Sequence, residues 1–426
     1  MNVAVIGSGG REHAIALKIS DSKLLNRLFI IPGNPGTKSA GKNININADD
    51  HQSIIEFCKE NKIDLVVVGP EKPLVDGLAD KLRLNSINVF GPDALAAEIE
   101  AHKIFAKQLL TDNHIPTARA AKFSSKEFNQ AEKYLADSVY PCVIKADGLA
   151  AGKGVIICST FNQAYAALDS IFKKRIFGSA GDNILIEEFM TGEEASVFAI
   201  TDGKEFICLP AAQDHKRIGD NDSGKNTGGM GAYAPAPIVT PELMTQIENL
   251  IIKPTLKALD SIGRKFIGCL YAGLMLTDEG AKVVEFNCRF GDPETQVVLP
   301  LLEGDFLQLL FSAAIGELDK TSVKYNGGCS VCVVASSKGY PDSYEKGFII
   351  KGLESKIDDV IIYHAGTKEV DGNILTDGGR VLGITSVLKT NDLKTAKLKA
   401  YEALNKIHFD GMYFRKDISD KAFSHI

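Results

Sequence analysis

No apolar run in the sequence approaches the roughly 18–20 residues that a membrane-spanning helix needs. The chain also lacks an excess of basic residues, because 48 lysines and arginines stand against 54 acidic residues, giving a formal net charge of −6. We therefore expect no nucleic acid and no membrane among its partners, and local lysines and arginines must hold any anionic substrate. The first strand has no basic leader before it, which predicts a cytoplasmic protein without a signal peptide.

Cysteine and histidine spacings typical of metal sites are missing as well. The eight cysteines are scattered, mostly in apolar segments, as expected for reduced and buried thiols. The one Cys-x-x-Cys motif, Cys329 to Cys332, lies in a strand-like run, where an offset of three places the two sulfur atoms on opposite faces. This pattern disfavours a zinc site, and the chain shows no Ser-His-Asp or Cys-His arrangement for nucleophilic catalysis.

The first 92 residues alternate apolar strands with helical patterns. This alternation is typical of a doubly wound parallel sheet, so we predict an α/β domain at the start of the chain. At 426 residues the chain has room for about three domains. The predicted strands cover residues 3–6, 28–31, 65–68 and 87–90, and the predicted helices cover about 11–20, 51–61 and 74–85.

A glycine or proline turn follows each predicted strand, and ligands of such sheets bind beyond the carboxyl ends of the strands. The first turn places Gly9, Gly10 and Arg11 at a helix N-terminus, which suits a phosphate group. Glu12 stands where the dinucleotide fingerprint requires a glycine, and no acidic residue ends the second strand. We therefore favour a sugar phosphate at these turns, one of which carries Glu71, with NAD as the weaker alternative.

A helix predicted over about 94–111 leads out of this domain and carries Lys103 and Lys107 on one face. A solvated basic face would show the same spacing, so these lysines alone do not define a site. From about residue 116 to 189 the pattern indicates a second, smaller α/β unit with two strand–helix repeats.

The centre of the smaller unit is a buried strand that delivers Lys145 into a loop rich in glycine and alanine. Small residues such as Gly148, Gly152 and Gly154 let backbone N–H groups close around phosphate oxygens, while the lysines supply positive charge. The spacing is not that of a Walker motif, because Lys153 is followed by glycine. The loop still indicates triphosphate binding, and a glycine hairpin with solvated lysines is the alternative.

The strand that follows, residues 184–189, carries acidic residues that suit a nucleoside. A purine amino group and a ribose hydroxyl each need an acceptor, and Glu187 and Glu194 are placed to serve the two ends. The segments 213–217 and 224–231 come next, and the second is too rich in glycine for a core element. We interpret it as a loop that approaches a ligand closely.

The stretch from Val283 to Gln296 carries the pattern of a metal–anion site. Glu285 and Asn287 are two apart on a predicted strand, so their oxygen atoms leave one face and suit Mg²⁺. Arg289 continues the same parity and is placed to neutralise an anion, and a Gly-Asp-Pro turn then adds Asp292 and Glu294. An edge strand that runs into an acidic turn is the alternative interpretation.

Several long motifs occur in order, and together they resemble the ATP-grasp ligases, within them the glycinamide ribonucleotide synthetase family. The resemblance covers nearly the whole chain, from Gly7 to Ile418. It implies an α/β chain, α+β overall, with an N-terminal parallel-sheet domain over 1–102, an ATP-grasp domain over 103–325 with a mobile α/β lid at about 117–190, and a small β-rich C-terminal domain over 326–426. The motifs are KADGLAAGKGV, EEFMTGEEAS, QDHKR, NTGGMGAY and EFNCRFGDPETQ.

The resemblance implies a monomer that ligates glycine to 5-phosphoribosylamine with ATP and Mg²⁺ or Mn²⁺, through glycyl phosphate, as the second step of purine biosynthesis. Glu285 and Asn287 would then hold the metal, and catalysis would rest on Arg289, Lys145 and Asp292. The residues implied for ATP are Lys103, Lys145, Gly148, Gly152, Lys153, Gly154, Glu187, Glu188, Phe189 and Glu194. Those implied for the other substrates are Gly9, Gly10, Arg11, Glu71, Asp214, Lys216, Asn226, Thr227, Gly228 and Met230.

Two positions depart from the family pattern. His102 precedes Lys103 where a small residue is expected, and the strand 271–275 lacks the acidic residue that many relatives place before the Glu-x-Asn strand. The second departure affects the ligand set of a second metal ion. On residue type alone, His364 and Arg380 are predicted to be structural rather than catalytic. The competing hypotheses are a ligase for another purine intermediate, an NAD-dependent oxidoreductase and a nucleotide sensor without activity.

Overall fold

A computed structural model describes residues 1–148, 154–355 and 357–425. The predicted loop residues Gly152 and Lys153 lie outside these ranges. The described residues form four sheets of four to six strands, together with three two-stranded ribbons. Among the described helices, none combines the length and the apolar character that crossing a membrane requires.

The N-terminal unit is a five-stranded parallel sheet with the strand order β3-β2-β1-β4-β5, as the alternating pattern predicts. Alternate residues of its first strand enter two different core clusters, because helices cover both faces of the sheet. The elements are β1 (Asn2–Gly7), α1 (Gly10–Ser20), β2 (Arg27–Pro32), β3 (Lys42–Asn43), α2 (His51–Glu60), β4 (Leu65–Val68), α3 (Glu71–Val75), α4 (Leu78–Leu84), β5 (Asn88–Phe90) and α5 (Ala94–Ala101).

Two predicted helices are each divided in the structure. The helix expected over 74–85 is interrupted at Gly77, whose φ of +80° lies in the left-handed region that glycine tolerates. The helix expected over 94–111 stops at His102, which is extended, and a new helix α6 (Lys103–Asp112) begins after it. The side chain of Asp147 accepts a hydrogen bond from Ile104 N (3.0 Å), so a residue of the lid satisfies the new helix terminus.

The lid is a four-stranded antiparallel sheet with the order β6-β9-β7-β8 and a core of its own beneath two helices. This arrangement confirms a small α/β unit between the N-terminal domain and the main sheet, with β8 as an additional strand. Its elements are β6 (Ala120–Ser124), α7 (Phe128–Ala136), β7 (Cys142–Ala146), β8 (Val155–Cys158), α8 (Phe161–Phe172) and β9 (Asn183–Glu188).

The central unit is built on an antiparallel sheet with the order β11-β10-β16-β17. A π-helical turn, Glu248–Ile252, joins two of its helices. The elements are β10 (Glu193–Thr201), β11 (Phe206–Cys208), β12 (Gln213–Asp214), β13 (Arg217–Gly219), β14 (Ser223–Asn226), β15 (Gly231–Ala234), α9 (Pro241–Ile247), α10 (Lys253–Ser261), β16 (Gly268–Thr277), β17 (Gly280–Asn287), α11 (Thr295–Val298), β18 (Leu302–Gly304) and α12 (Phe306–Ala314).

The C-terminal sheet has the order β12-β15-β20-β24-β21, with β25 paired to β20. Two of its strands, β12 and β15, precede the predicted domain boundary at 325/326, so backbone hydrogen bonds cross that boundary. The unit is β-rich with one long helix, as expected. Its elements are β19 (Val323–Tyr325), β20 (Cys329–Ser337), β21 (Val360–His364), β22 (Thr367–Val370), β23 (Asn373–Thr376), β24 (Arg380–Leu388), α13 (Leu393–Leu404) and β25 (Met412–Tyr413).

A histidine pair joins the N-terminal and C-terminal units. His364 N donates to Nδ1 of His13 (2.9 Å), so that ring nitrogen must be unprotonated. A side chain at Gly36 would collide with both rings, which explains the glycine. Burial, and secondarily the neighbouring His364, lower the pKa of His13 from 6.5 to about 3. Burial likewise lowers the pKa of His364 to about 4.

Because of this histidine pair, we expect the stability of the protein to fall at acidic pH. A histidine whose pKa is lower in the folded state contributes its full stability above pH 6.5 and loses it as the pH falls towards the folded value. We expect the free energy of unfolding of the wild-type protein to fall as the pH drops from 6.5 to 4.5. In the His13→Gln variant this fall should be smaller than in the wild-type protein, by up to about 1.4 kcal/mol per pH unit. Chemical unfolding at several pH values measures both slopes. The exposed His408→Gln control keeps the wild-type slope, and an unchanged slope for His13→Gln would contradict the prediction.

Candidate active site

Strand β17 supplies the acidic centre of the site. Glu285 lies opposite Gly273 of β16, and Asn287 lies opposite Tyr271, so the two side chains share one face as predicted. The register shifts beside Gly273, and the bulge leaves the Val284 carbonyl to accept a hydrogen bond from Lys145 Nζ (3.0 Å). The lysine of the lid strand β7 therefore reaches the strand that carries the carboxylate.

A buried carboxylate holds two lysines in place. Glu187 Oε2 lies 2.7 Å from Lys145 Nζ, and Glu187 Oε1 lies 2.9 Å from Lys107 Nζ. Burial opposes ionisation of Glu187, but the two lysines outweigh it and its pKa is lowered. Lys107 also donates to Thr117 Oγ1 (2.7 Å) and to the Ala118 carbonyl (2.9 Å). Both oxygens of Glu187 are thus occupied, although the sequence suggested it for a purine amino group.

Several cations surround Glu285. Burial raises the pKa of this carboxyl, but Lys216, Lys145, Lys103 and Arg289 together lower it below its ordinary value, so the group is ionised. Lys216 Nζ lies 3.8 Å from Glu285 Oε1 and 2.6 Å from Glu194 Oε2. Lys103 Nζ donates to the Gly148 carbonyl at the start of the lid loop (2.8 Å).

The oxygen donors on β17 fit a divalent cation. The ionised Glu285 and the amide of Asn287 are hard donors of the kind that Mg²⁺ prefers. Within residues 1–148, 154–355 and 357–425, no group of three acidic, histidine or cysteine side chains is arranged as a complete metal site. Glu285 and Asn287 would suit an ion that completes its shell with phosphate oxygens and water.

Arg289 is fixed by two carboxylates of the N-terminal domain. Its Nη2 lies 2.8 Å from Glu100 Oε1, and its Nε lies 3.2 Å from Glu71 Oε2. Burial raises the pKa of Glu71, but Arg289 and Arg11 bring it down to about 2. Glu100 also accepts from Cys288 N (2.7 Å). The sequence suggested no role for Glu100, because its partner lies far along the chain.

A cavity of about 580 Å³ opens at the carboxyl ends of the parallel strands. Gly9, Arg11 and Asp292, three of the predicted site residues, line it. Asn45 and Asn47 form another part of its wall, and no sequence motif pointed to them. The remaining lining residues are Gly7, Ser8, Glu12, Pro32, Ile46, Ala48 and Pro70.

The side chain of Glu12 fills the turn after β1, where a dinucleotide would need unbonded backbone N–H groups. Its Oε2 accepts from Gly9 N (2.6 Å), its Oε1 lies 2.5 Å from Arg11 Nε, and a side chain at Gly69 would collide with it. This arrangement disfavours NAD at the first turn. Gly10 lies away from the cavity wall, against the side chain of Gln296.

The glycine-rich loop after β14 is tied to Lys216. Thr227 N and Thr227 Oγ1 both donate to the Lys216 carbonyl, at 2.7 and 2.9 Å. Gly228 N donates to Tyr340 OH (2.9 Å), and Asn226 ends the strand before the loop. Met230 is fully buried and its N–H donates to the His215 carbonyl (2.8 Å), so the structure places this predicted substrate residue in the core.

Asp292 and Glu294, the two acidic residues of the turn after β17, differ in their contacts. Glu294 is buried and its Oε1 accepts from the hydroxyls of Tyr271 (2.9 Å) and Ser196 (3.1 Å), so it shapes the turn. Asp292 lines the cavity and pairs with Arg380 Nη2 (3.2 Å). Burial raises the pKa of Asp292, but Arg380 and Arg11 lower it overall.

Four further residues that the sequence singled out have the following surroundings. Asp214 is buried at the end of β12, and burial raises its pKa well above the ordinary value despite Lys216. Glu188 pairs with the exposed Arg119 (2.7 Å), and Phe189 is 40% exposed. Arg380 donates to the Asp292 carbonyl (2.6 Å) and to the Gly228 carbonyl.

A lid sheet that carries lysines, opposed to an antiparallel sheet that carries a carboxylate and an amide, defines the ATP-grasp class. Enzymes of this class use ATP with a divalent metal ion. The chain belongs to the phosphoribosylglycinamide synthetase family. The family models match the N domain at residues 1–100, the ATP-grasp (A) domain at 101–295 and the C domain at 330–421.

Relatives in sequence and structure agree with this assignment. A phosphoribosylamine–glycine ligase from Rhodopirellula baltica is 46% identical over 430 residues, covering 99% of this chain and 98% of the relative. The crystal structure of phosphoribosylamine–glycine ligase from Thermotoga maritima has a TM-score of 0.84 and 33% identity, covering 98% of this chain and all of that one. The biotin carboxylase domain of Hydrogenobacter thermophilus 2-oxoglutarate carboxylase, solved with MgADP, ADP and bicarbonate, shares the fold with a TM-score of 0.74 and 17% identity, over 97% of this chain and 91% of that one.

The lysine pair at Glu187 yields a stability prediction with a neighbouring control. Glu187→Gln leaves Lys107 and Lys145 without a counter-charge in a buried position, which costs about 3–5 kcal/mol of unfolding free energy. Glu188→Gln removes only a surface pair with Arg119 and costs at most about 1 kcal/mol. Denaturant unfolding of both variants measures the difference. Equal stabilities would show that Glu187 does not hold the lysines together.

Proposed function

We propose that the protein ligates glycine to 5-phosphoribosylamine with ATP, giving glycinamide ribonucleotide, ADP and phosphate. The observation that carries the proposal is that the cavity and the group of cations around Glu285 adjoin each other. Lys103, Lys145, Lys216 and Arg289, the cations around Glu285, are called here the cation cluster. Nη1 of Arg11, from the cavity wall, and Nη1 of Arg289, from this cluster, both donate to the Phe290 carbonyl, at 3.1 and 3.3 Å. A sugar phosphate in the cavity and a polyphosphate at β17 would therefore have their reacting ends side by side. The names of the relatives support the same activity.

The reaction has two transfers. A glycine carboxylate oxygen attacks the γ-phosphorus of ATP, the bond to the bridging oxygen breaks, and ADP leaves. The amine nitrogen of 5-phosphoribosylamine then attacks the carbonyl carbon of glycyl phosphate. Phosphate leaves with the former carboxylate oxygen, and the nitrogen loses a proton. No enzyme nucleophile is needed, so catalysis depends on orientation and on charge compensation.

Each group in the cation cluster has a place in this scheme. Lys103 and Lys145 neutralise the ATP phosphates, and Arg289 faces the phosphoryl group under transfer. Glu285 and Asn287 would hold the divalent ion, Mg²⁺ or Mn²⁺, which supplies further compensation of phosphate charge when bound. Asp292, kept ionised by Arg380 and Arg11, faces the amine substrate in the cavity.

The nucleoside end is assigned to the strand β9 and the turn after it. Because both oxygens of Glu187 hold lysines, we assign the adenine contacts to the main chain of Glu188 and Phe189. Glu194 is assigned to the ribose hydroxyls, with Lys216 beside it. The division into domains at 1–102, 103–325 and 326–426, with the lid at about 117–190, belongs to the same proposal, as do a monomeric state and a cytoplasmic location.

The substrate-omission assay tests the activity. We expect ADP release only when ATP, glycine and 5-phosphoribosylamine are all present, because the second transfer must regenerate the free enzyme. Coupled detection of ADP measures the rate with each compound left out in turn. Turnover with bicarbonate or formate in place of glycine would contradict the proposal and favour another ligase of this class.

The metal assignment predicts a sharp loss of rate at one carboxylate. Glu285→Gln should reduce kcat about 10²–10³-fold, equivalent to about 2.7–4 kcal/mol, because a charge-stabilising group is lost. Glu279→Gln is the matched control, since this exposed glutamate lies on the β16–β17 turn and pairs with Lys282. Steady-state kinetics and circular dichroism separate rate from folding. Near-normal turnover of Glu285→Gln would contradict the metal assignment.

A further inference from the structure

The end of the chain is fastened to a hairpin that begins directly after Lys216. This hairpin consists of β13 and β14, and the segment that holds it, residues 413–421, is called here the C-terminal clamp. Tyr413 OH donates to the Ile218 carbonyl (3.0 Å). Lys416 N donates to Asp220 Oδ1, and Asn221 N donates to Asp417 Oδ2, both at 2.8 Å. The clamp therefore contacts the strand, the turn and the tip of the hairpin.

Arg415 is the centre of the clamp, and its side chain is 0% exposed. Nε and Nη2 form a bidentate pair with Asp417 at 2.8 and 2.7 Å. Nη1 reaches across to Asp222 Oδ1 (2.9 Å) and to the Arg217 carbonyl (3.0 Å). A planar guanidinium bound to two carboxylates and a carbonyl accepts one arrangement of its partners, so it constrains geometry more than a hydrophobic contact would. Lys421 adds a second cation, 2.5 Å from Asp222 Oδ2.

The hairpin in turn determines where Lys216 lies. At its open end Arg217 of β13 is paired with Asn226 of β14. The neighbouring residues continue this pairing, because Thr227 donates to the Lys216 carbonyl. On the other side, the main chain of His215 is bonded to Gly231 and Met230 of the sheet. The ring of His215 is buried, and neither ring nitrogen has a partner within the described residues. Lys216 thus lies between a sheet edge and a hairpin that the clamp ties to the C-terminal segment. An exposed pair between Lys225 and Asp342 (2.7 Å) is a further contact of the hairpin with a distant segment.

We propose that Arg415 and Asp222 are positioning residues for the ligation reaction. Through the hairpin they hold Lys216 Nζ at Glu194 and Glu285, the two carboxylates beside the cation cluster. The C-terminal clamp is then part of the active-site framework, although none of its residues is assigned to a substrate. The kinetic part of this inference rests on the proposed ligase activity.

Asp222→Ala tests the inference while leaving the bidentate pair of Arg415 and Asp417 in place. We expect kcat per folded molecule to fall between about 10- and 100-fold, because a shift of about 1 Å at a reacting group has an effect of this size. Trypsin cleavage after Arg217 or Lys225 in the full-length protein should become faster, since the hairpin is released. Asp222→Asn keeps the shape and the tolerance of a positive φ, and should give a smaller change in the same direction.

Asp359→Ala is the matched control. Both aspartates have a positive φ, 51° at Asp222 and 63° at Asp359, and each lies 2.5 Å from one lysine, Lys421 or Lys399. The control should keep the wild-type kcat, and it should lower the melting temperature less than Asp222→Ala does, because only Asp222 also holds the buried Arg415. A purely structural role for Asp222 would make the two variants alike in kcat and in cleavage rate, which would overturn the proposal.

The remaining outcomes are also decisive. Faster cleavage of Asp222→Ala with an unchanged kcat would show that the hairpin does not position Lys216, and would overturn the proposal. If the wild-type protein fails the substrate-omission assay, the ligase function is wrong and cleavage alone reports on the clamp. In that case the positioning role in ligation is overturned with it. Faster cleavage of Asp222→Ala than of Asp359→Ala would then support only the hold of the clamp on the hairpin, and equal cleavage would overturn that as well.

Discussion

The rest of the structure depends on one constraint: several positively charged side chains must be held close together in a folded protein. A site for a polyphosphate needs several cations close together, and such a cluster destabilises a fold unless other groups compensate it. Here four of the cations are paired with carboxylates from other elements, and Lys103 is held by the Gly148 carbonyl, so the charges are arranged before any anion binds. The pairs are Lys145 with Glu187, Lys216 with Glu194, Arg289 with Glu100 and Glu71, and Arg380 with Asp292.

The paired residues come from several units of the fold. Lys145 comes from the lid, the partners of Arg289 come from the N-terminal unit, and Arg380 comes from the C-terminal sheet. Lys145 and the carboxylates that pair with Arg289 come from units other than the one that contains β17, so this arrangement exists only in the assembled chain. In the proposed reaction, the phosphates compete with the carboxylates for these cations, and the rigid framework keeps reorganisation small.

The strands, the lid and the Glu285–Asn287 pair could be predicted from the sequence, because alternation and spacing are local signals. The interruption at His102 could not, since the cap that starts the next helix is Asp147, far along the chain. Glu100 and Asn45 were missed for the same reason, as neither belongs to a motif and each gains its role from a tertiary neighbour. Glu187 was placed at the site, but only the fold reveals that two lysines occupy it.

The central claim is that the glycine carboxylate is activated by phosphorylation at the cation cluster. Glycine labelled with ¹⁸O in its carboxylate tests this directly, because the oxygen that attacks phosphorus leaves with the phosphate. Mass spectrometry of the phosphate formed with ATP and 5-phosphoribosylamine should find one ¹⁸O atom per molecule, with the other retained in the amide product. Phosphate without label would contradict an acyl phosphate and with it the role assigned to Arg289.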